Sequence, residues 1–155
     1  MPKHIRAVAI VVKQDKVLLM HRWKNGKEYH VFPGGGVEEG ETIEDATIRE
    51  IKEETTLDVR IDKLLYHHIY DDGSEQFFYL CEHLSGEPQP GDGPEYSNPD
   101  PDNRYDPEWV DVADVGRMLV YPLEIRDWFL QDYAGGFDVE PKEAALKVAE
   151  LRRNL

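Results

Sequence analysis

Residues 35–57 read GGVEEGETIEDATIREIKEETTL, and the fold turns on how that stretch is parsed. Pro33-Gly34-Gly35-Gly36 predicts irregular backbone, because glycine enters positive φ freely and leaves main-chain groups open to contact. Thr42 suits a helix N-cap and Asp45, three residues on, approximates a capping box, so a helix is predicted from Thr42 to about Thr55. At about 100° per residue, Glu54 lies about 40° to one side of Glu50 and Glu53 about 60° to the other. The three carboxylates share one arc, with Arg49 at its edge beside Glu53. Ile48, Ile51 and Thr55 fall on the other side and are predicted to be the buried stripe.

A glutamate-rich helix face is ordinarily just solvated surface. Two features argue against that reading here. Glu50 and Glu54 are like charges one turn apart, which costs a helix a few tenths of a kcal/mol (~0.3) with no nearby lysine to relieve it. The triad also follows a glycine loop and a capped helix start. Carboxylates at i, i+3 and i+4 converge on one hard cation, and magnesium takes carboxylate and carbonyl oxygens while leaving positions for substrate phosphates.

The run Gly35-x5-Glu41-x7-Arg49-Glu50-Ile51-x-Glu53-Glu54-x-Thr56-Leu57 resembles the Nudix box, G-x5-E-x7-R-E-U-x-E-E-x-G-U with U aliphatic. Eight of its nine defined positions agree across 23 residues. The order of elements from residue 5 to about 133 is similar too. The resemblance implies an α/β Nudix fold, a mixed β-sheet sandwiched between helices (α/β/α). It also implies magnesium-dependent hydrolysis of a nucleoside diphosphate linked to another moiety, with manganese as an alternative ion. One position departs: Thr56 stands where the family has glycine. Glycine there suits a left-handed helix cap, so either the helix ends differently or Thr56 is strained.

By the same resemblance, Glu50, Glu53 and Glu54 bind the metal, with the Gly35 carbonyl completing the set, and Arg49 orients them through charge-assisted hydrogen bonds. Glu41 reaches a second ion through water, or simply favours the helix dipole. Gly36 allows close approach, so Gly35, Gly36 and Glu41 are placed on the substrate side with Arg22. Arg22 ends the second strand, where it either clamps a phosphate or is an exposed strand-end arginine. The general base in the family is a box glutamate, Glu50 or Glu53 here, or a carboxylate from a later loop. Among Asp92, Glu95 and Asp102, Glu95 is the choice. Asp100-x-Asp102 hints at a calcium loop, but Arg104 and Tyr105 stand where an EF-hand needs an oxygen ligand and glycine.

Outward from the box, Ala7–Val12 and Val17–Met20 read as a hairpin around Gln14-Asp15, and Asn25-Gly26 as a tight turn before a strand at Tyr29–Phe32. Leu57–Tyr70 and Gln76–Glu82 are predicted strands, then comes a long loop from Ser85 to Tyr105, read either as a mobile lid over the substrate or as an insertion. Trp109–Val112 is a predicted strand and Leu123–Tyr133 a helix. A Nudix domain over residues 1–134 is expected to carry a packed C-terminal helical extension over 135–155, its helix opening at Pro141. Trp23, Tyr29, Tyr70 and Phe78 are core aromatics or a stacking platform for a base. His67-His68 alternate across a strand, so at most one faces any pocket.

The chain has 155 residues, with 18 basic against 32 acidic side chains and a net charge of −14. That field disfavours nucleic acid polymers and anionic membranes, and admits an anionic small substrate only where a cation reverses the sign. Cys81 is alone and the N-terminal apolar run is too short for a membrane segment, so a cytoplasmic monomer or homodimer is expected. Two rivals remain at this stage. A nucleotide-sensing module would keep the fold without turnover, and an isopentenyl diphosphate isomerase would work through a cysteine, against the simpler account of Cys81 as a buried small residue.

Overall fold

A computed structural model describes residues 4–148. Strands β1 (Ile5–Lys13) and β2 (Lys16–Lys24) form the expected hairpin, with Gln14 at φ 58° in the turn. Asn25 and Gly26 both take positive φ, as a two-residue turn needs, and lead into β3 (Lys27–Val31). Gly34–Gly36 then form a short strand, β4, paired antiparallel with β1. This corrects the expectation of irregular backbone. None of the three glycines has positive φ; Gly34 and Gly35 are needed for space, since a Cβ on Gly34 would meet the Ala7 carbonyl and one on Gly35 the Glu50 carboxylate.

Helix α1 (Ile43–Thr55) follows, with the Thr42 hydroxyl accepting from the Asp45 amide at 3.1 Å. Strands β5 (Asp58–Tyr70) and β6 (Glu75–Ser85) pair antiparallel, and β6 runs parallel to β1 in register from Ile5↔Glu75 to Val12↔Glu82. Strand β7 (Asn103–Asp111) begins earlier than the apolar pattern indicates, because its first half alternates polar residues along β2. A short helix α2 (Val112–Val115), which takes Val112 out of the expected strand, and strand β8 (Val120–Tyr121) are additions to the expected order, and helix α3 (Leu123–Ala134) follows where it was predicted.

The last described element overturns an expectation. Lys142–Leu146 is not helix but a strand, β9, parallel to β5 from Tyr66↔Lys142 to Tyr70↔Leu146. Lys-Glu-Ala-Ala-Leu favours helix locally, but the open edge of β5 offers a row of unpaired main-chain groups that a strand satisfies. Lys142 is held in place by the buried Asp132 carboxylate at 2.8 and 2.9 Å, which also accepts from the Tyr66 hydroxyl at 2.7 Å. The remainder of the expected helix lies outside the described residues.

Among the described residues the result is a mixed nine-stranded sheet, in order β8-β3-β2-β1-β6-β5-β9, with β4 on β1 and β7 on β2. Alternation along the central strands splits the core into two layers. Ala9, Val11, Leu18, Tyr79 and Cys81 pack against Ile51 and Leu57 on the α1 side. Val8, Ile10, Leu19, Tyr66 and Phe78 pack against Ile125 and Phe129 on the α3 side. Phe129 is fully buried, and truncating it to alanine should cost about 3–5 kcal/mol. This is the α/β/α sandwich that the pattern implies. No helix among the described residues is long and apolar enough to cross a membrane.

Candidate active site on helix α1

The face of α1 that packs on the sheet overlaps the one that the apolar pattern picks, with Ile51 and Thr55 buried as expected, but it is rotated away from Ile48. Ala46, Thr47, Ile51 and Thr55 are buried, but Ile48 is 37% exposed. The buried arc runs from Ala46 through Thr47 and Ile51 to Thr55, so it takes in the side of the helix on which Glu54 lies, and Glu50 and Glu54 point inward over the β4 glycines. Glu50 has only 13% of its side chain exposed and lies where a Gly35 side chain would be. This carboxylate face is no solvated surface.

Arg49 stitches the group together. Its Nε and Nη2 donate to the two Glu41 oxygens at 2.7 and 2.9 Å, and Nη1 donates to Glu50 at 2.9 Å and Glu53 at 3.2 Å. Nη2 also donates to the Gly36 carbonyl at 2.9 Å, joining α1 to β4. Glu41 is thus occupied by Arg49 and by the Glu38 amide, and the arginine holds its carboxyl below the ordinary glutamate range. Its carboxylate acts on Arg49, a contact that neither sequence reading foresaw.

Glu54, Glu50 and Glu95 are shifted the opposite way. Burial pushes Glu54 well above its usual value, and the neighbouring charges of Glu95 and Glu50 push it further, opposed by Arg6 and the Gly34 amide. Burial also raises Glu50, against the pull of Arg49. Glu95 is raised by burial and by Glu53, with Arg22 pulling it back. Glu54 Oε2 and Glu95 Oε1 are buried oxygens without a hydrogen-bond partner among the described residues. Buried, crowded, unpartnered carboxylate oxygens are what a divalent cation satisfies, so this donor set fits a hard metal ion.

The loop that delivers Glu95 is fastened to the end of α1. The last turn leaves carbonyls of residues 52 to 55 without helical partners, and each finds one. The Thr56 amide donates to Lys52, the Gly93 amide to Glu53, the Tyr96 hydroxyl to Glu54 and the Gln89 amide to Thr55. A Cβ on Gly91 would strike the Glu53 carbonyl, so glycine is required for the approach. Thr56 itself adopts φ 67°, ψ −1°, the left-handed cap, with its hydroxyl donating to the Glu87 carbonyl at 3.1 Å. Of the two sequence readings, the strained one is what occurs.

The remaining expected residues separate. Arg22 lines a cavity of about 280 Å³ that also has Arg6, Tyr29, Phe78 and Tyr121 in its wall. Its guanidinium stacks 3.7 Å over the Tyr105 ring and donates to Asn103, so it is no free strand-end arginine. Arg6 reaches the Gly34 carbonyl at 3.4 Å and connects the cavity to the carboxylates. Of the aromatics Trp23, Tyr29, Tyr70 and Phe78, Tyr29 and Phe78 are on that wall; Tyr70 is core, and Trp23 stacks on His21. Asp92 and Asp102 are exposed. His68 is buried and His67 pairs with Glu75. Cys81 is buried mid-strand with its thiol pushed up to about 12 by burial, unfit for isomerase chemistry. Arg6, Tyr96 and Tyr121 were not found from sequence, since only strand register and the return of the loop bring them here.

The NUDIX domain family model matches residues 3–129. The chain belongs to the Nudix family. An ADP-ribose pyrophosphatase of Methanocaldococcus jannaschii is 49% identical over 57 residues, 36% of this chain and 34% of that protein. Nudix hydrolase 1 of Caenorhabditis elegans is 31% identical over 158 residues, covering 96% of this chain and 40% of that protein. The chain therefore spans well under half the length of these curated relatives. Among solved structures, a NUDIX hydrolase from Nitrosomonas europaea superposes with a TM-score of 0.70 over 95% of this chain and 79% of that one, at 16% identity. Such a likeness concerns the fold alone, and it agrees with the Nudix sandwich described above.

Proposed function

We propose that this Nudix chain is a magnesium-dependent pyrophosphohydrolase that cleaves the phosphoanhydride bond of a nucleoside diphosphate linked to another moiety. The observation that carries the reading is the convergence of Glu50, Glu53, Glu54 and Glu95 with two buried oxygens lacking partners. A sensing module without turnover needs no such crowding of carboxylates, and none of the box carboxylates is missing. The pyrophosphatase relative supports the bond type, since it aligns over part of this chain.

In this reading Glu50, Glu53, Glu54 and the Gly35 carbonyl hold the ion, with manganese as the alternative. Bound there, the ion supplies charge neutralisation for the diphosphate and acidifies a water. Glu95 takes the proton from the attacking water, because the loop brings its half-buried carboxyl to the other carboxylates and burial raises its proton affinity above that of an ordinary glutamate. Glu50 or Glu53 is the alternative base. Arg49 keeps the glutamates in register, and Arg22 binds a phosphate oxygen from the cavity wall. Gly35 and Gly36 admit the substrate close to the backbone, and Tyr29 and Tyr121 line the space beyond for its nucleoside.

The test is a turnover screen of nucleoside diphosphate derivatives and nucleoside triphosphates with magnesium, reading the phosphate-containing products. Glu54→Gln should lower the best activity by orders of magnitude (about 10³-fold) with the fold intact, and Glu95→Gln should lower kcat and flatten its pH profile. Absence of turnover across the panel, with tight binding of one compound, would favour the sensing module instead.

A further inference from the structure

On the sheet face away from α1, β2 and β3 present two histidines to each other. His21 and His30 are direct cross-strand partners, and their rings stack with centroids 4.2 Å apart. Strand β7 adds Glu108 on the same face, since Asp106 is the residue opposite His21 and side chains alternate. Glu108 Oε1 lies 2.9 Å from His30 Nε2 and 3.4 Å from His21 Nδ1. One oxygen thus faces two imidazole nitrogens from two other strands, and the three ligand atoms lie within 4.8 Å of one another.

We infer that His21, His30 and Glu108 form a second metal site, selective for zinc or a similar borderline transition ion, separate from the carboxylates of the Nudix box. The donor chemistry differs from that of the box. Two imidazoles and one carboxylate suit zinc, whereas magnesium prefers oxygen throughout. In a tetrahedral site with metal–ligand bonds of about 2.0–2.1 Å, neighbouring ligand atoms are about 3.3 Å apart. The observed 2.9 and 3.4 Å are close to that edge.

An orienting group is also present. The Glu28 carboxylate meets His21 Nε2 at 2.7 Å, which leaves Nδ1 to face Glu108. A carboxylate on the far nitrogen is how metal-binding histidines are commonly held in tautomer and direction. The histidine side chains are only 15% and 11% exposed, but Glu108 is 37% exposed, so a water can take the fourth position from solvent. The two rings are stacked and inclined by only 20°, so their lone pairs lie in two nearly parallel, offset planes that a single ion cannot share. Ligation therefore turns one ring about its Cβ–Cγ bond and opens the stack. The site would cross-link β2, β3 and β7, and β7 follows the loop that carries Glu95.

The competing account is a hydrogen-bonded histidine–carboxylate cluster with no affinity for metal. Titrating the whole protein with Co²⁺ in saturating Mg²⁺ separates the two, because tetrahedral cobalt gives strong visible bands and octahedral cobalt does not. One equivalent of tetrahedral Co²⁺, displaced by Zn²⁺, is expected. Its affinity should fall at least about 100-fold in His30→Gln and in Glu108→Gln, fall about 10–100-fold in Glu28→Gln, and be unchanged in Glu54→Gln. Bands abolished by Glu54→Gln, or untouched by His30→Gln, would overturn the site. Should those variants not fold, zinc-edge X-ray absorption of the wild-type protein with one equivalent of Zn²⁺ in excess Mg²⁺ decides. Two imidazole nitrogens support the site and an all-oxygen shell refutes it.

Discussion

The Tyr96 hydroxyl donates to the main-chain carbonyl of Glu54 at 2.6 Å, so the residue next to Glu95 is anchored to the residue whose carboxylate Glu95 faces. The bond satisfies a carbonyl at the open end of α1 and sets the distance between loop and helix in one contact. Through it, the position of a loop side chain is tied to the end of a rigid element.

Tyr96→Phe tests this tie. It removes one donor from a partly buried bond and should lower stability by about 1 kcal/mol. If Glu95 takes part in turnover, kcat should fall as well while substrate KM changes little, because the loop end is loosened rather than the cavity. Thermal melts and steady-state kinetics on one preparation read both. An unchanged kcat would detach the loop tie from the chemistry.

Gly91→Ala should act more severely on the same segment. The added Cβ meets a main-chain carbonyl, Glu53, which cannot swing aside as a side chain can. The loop should lift from α1, and amides from residue 91 to 106 should exchange with deuterium faster than in the wild type. Unaltered exchange there would mean that the backbone shifts to absorb the methyl group. In the wild type, a nonhydrolysable substrate analogue with magnesium should slow the same amides if this segment closes over the substrate.

Glu54 predicts a pH dependence with a definite sign. Its carboxyl binds a proton more tightly folded than unfolded, so the folded chain holds the extra proton between the ordinary glutamate value of 4.5 and the raised one. Stability from this group therefore falls as pH rises through that window. In EDTA, the wild type should lose thermal stability relative to Glu54→Gln as pH is raised from about 4.5 toward neutrality. Millimolar magnesium should restore it in the wild type by binding only the native state. A pH-independent difference between the two proteins would contradict the buried, repelled carboxylate.

Thr56→Gly should stabilise the chain. A β-branched residue in the left-handed region costs of order 1–3 kcal/mol, which glycine avoids. Against this stand the lost hydroxyl bond to Glu87 and the greater freedom of glycine in the unfolded chain, about 0.5–1 kcal/mol each. A net gain of up to about 1 kcal/mol is expected in denaturant unfolding. A loss would mean that the hydroxyl bond outweighs the strain.

What is local in this protein was readable from its residues alone. Thr42 caps α1, Asn25-Gly26 turns the second hairpin, and the spacing of Glu50, Glu53 and Glu54 is set by helical periodicity, a property of neighbouring residues. The long loop brings Glu95 alongside Glu53 and Glu54, while its part in turnover is a proposal for the experiments above to decide. Contacts between distant segments decided the rest. Ile51 and Thr55 of α1 are buried as their pattern indicates, but Ile48 is left exposed, and Glu50 turns inward because Gly35 of β4 makes room for it. Lys142–Leu146 became a strand because β5 had an open edge, although its own residues prefer helix. His21, His30 and Glu108 meet only through the pairing of β2 with β3 and β7. Helical and turn preferences act over a few residues, but burial, strand pairing and charge proximity are set by whatever the folded chain brings alongside.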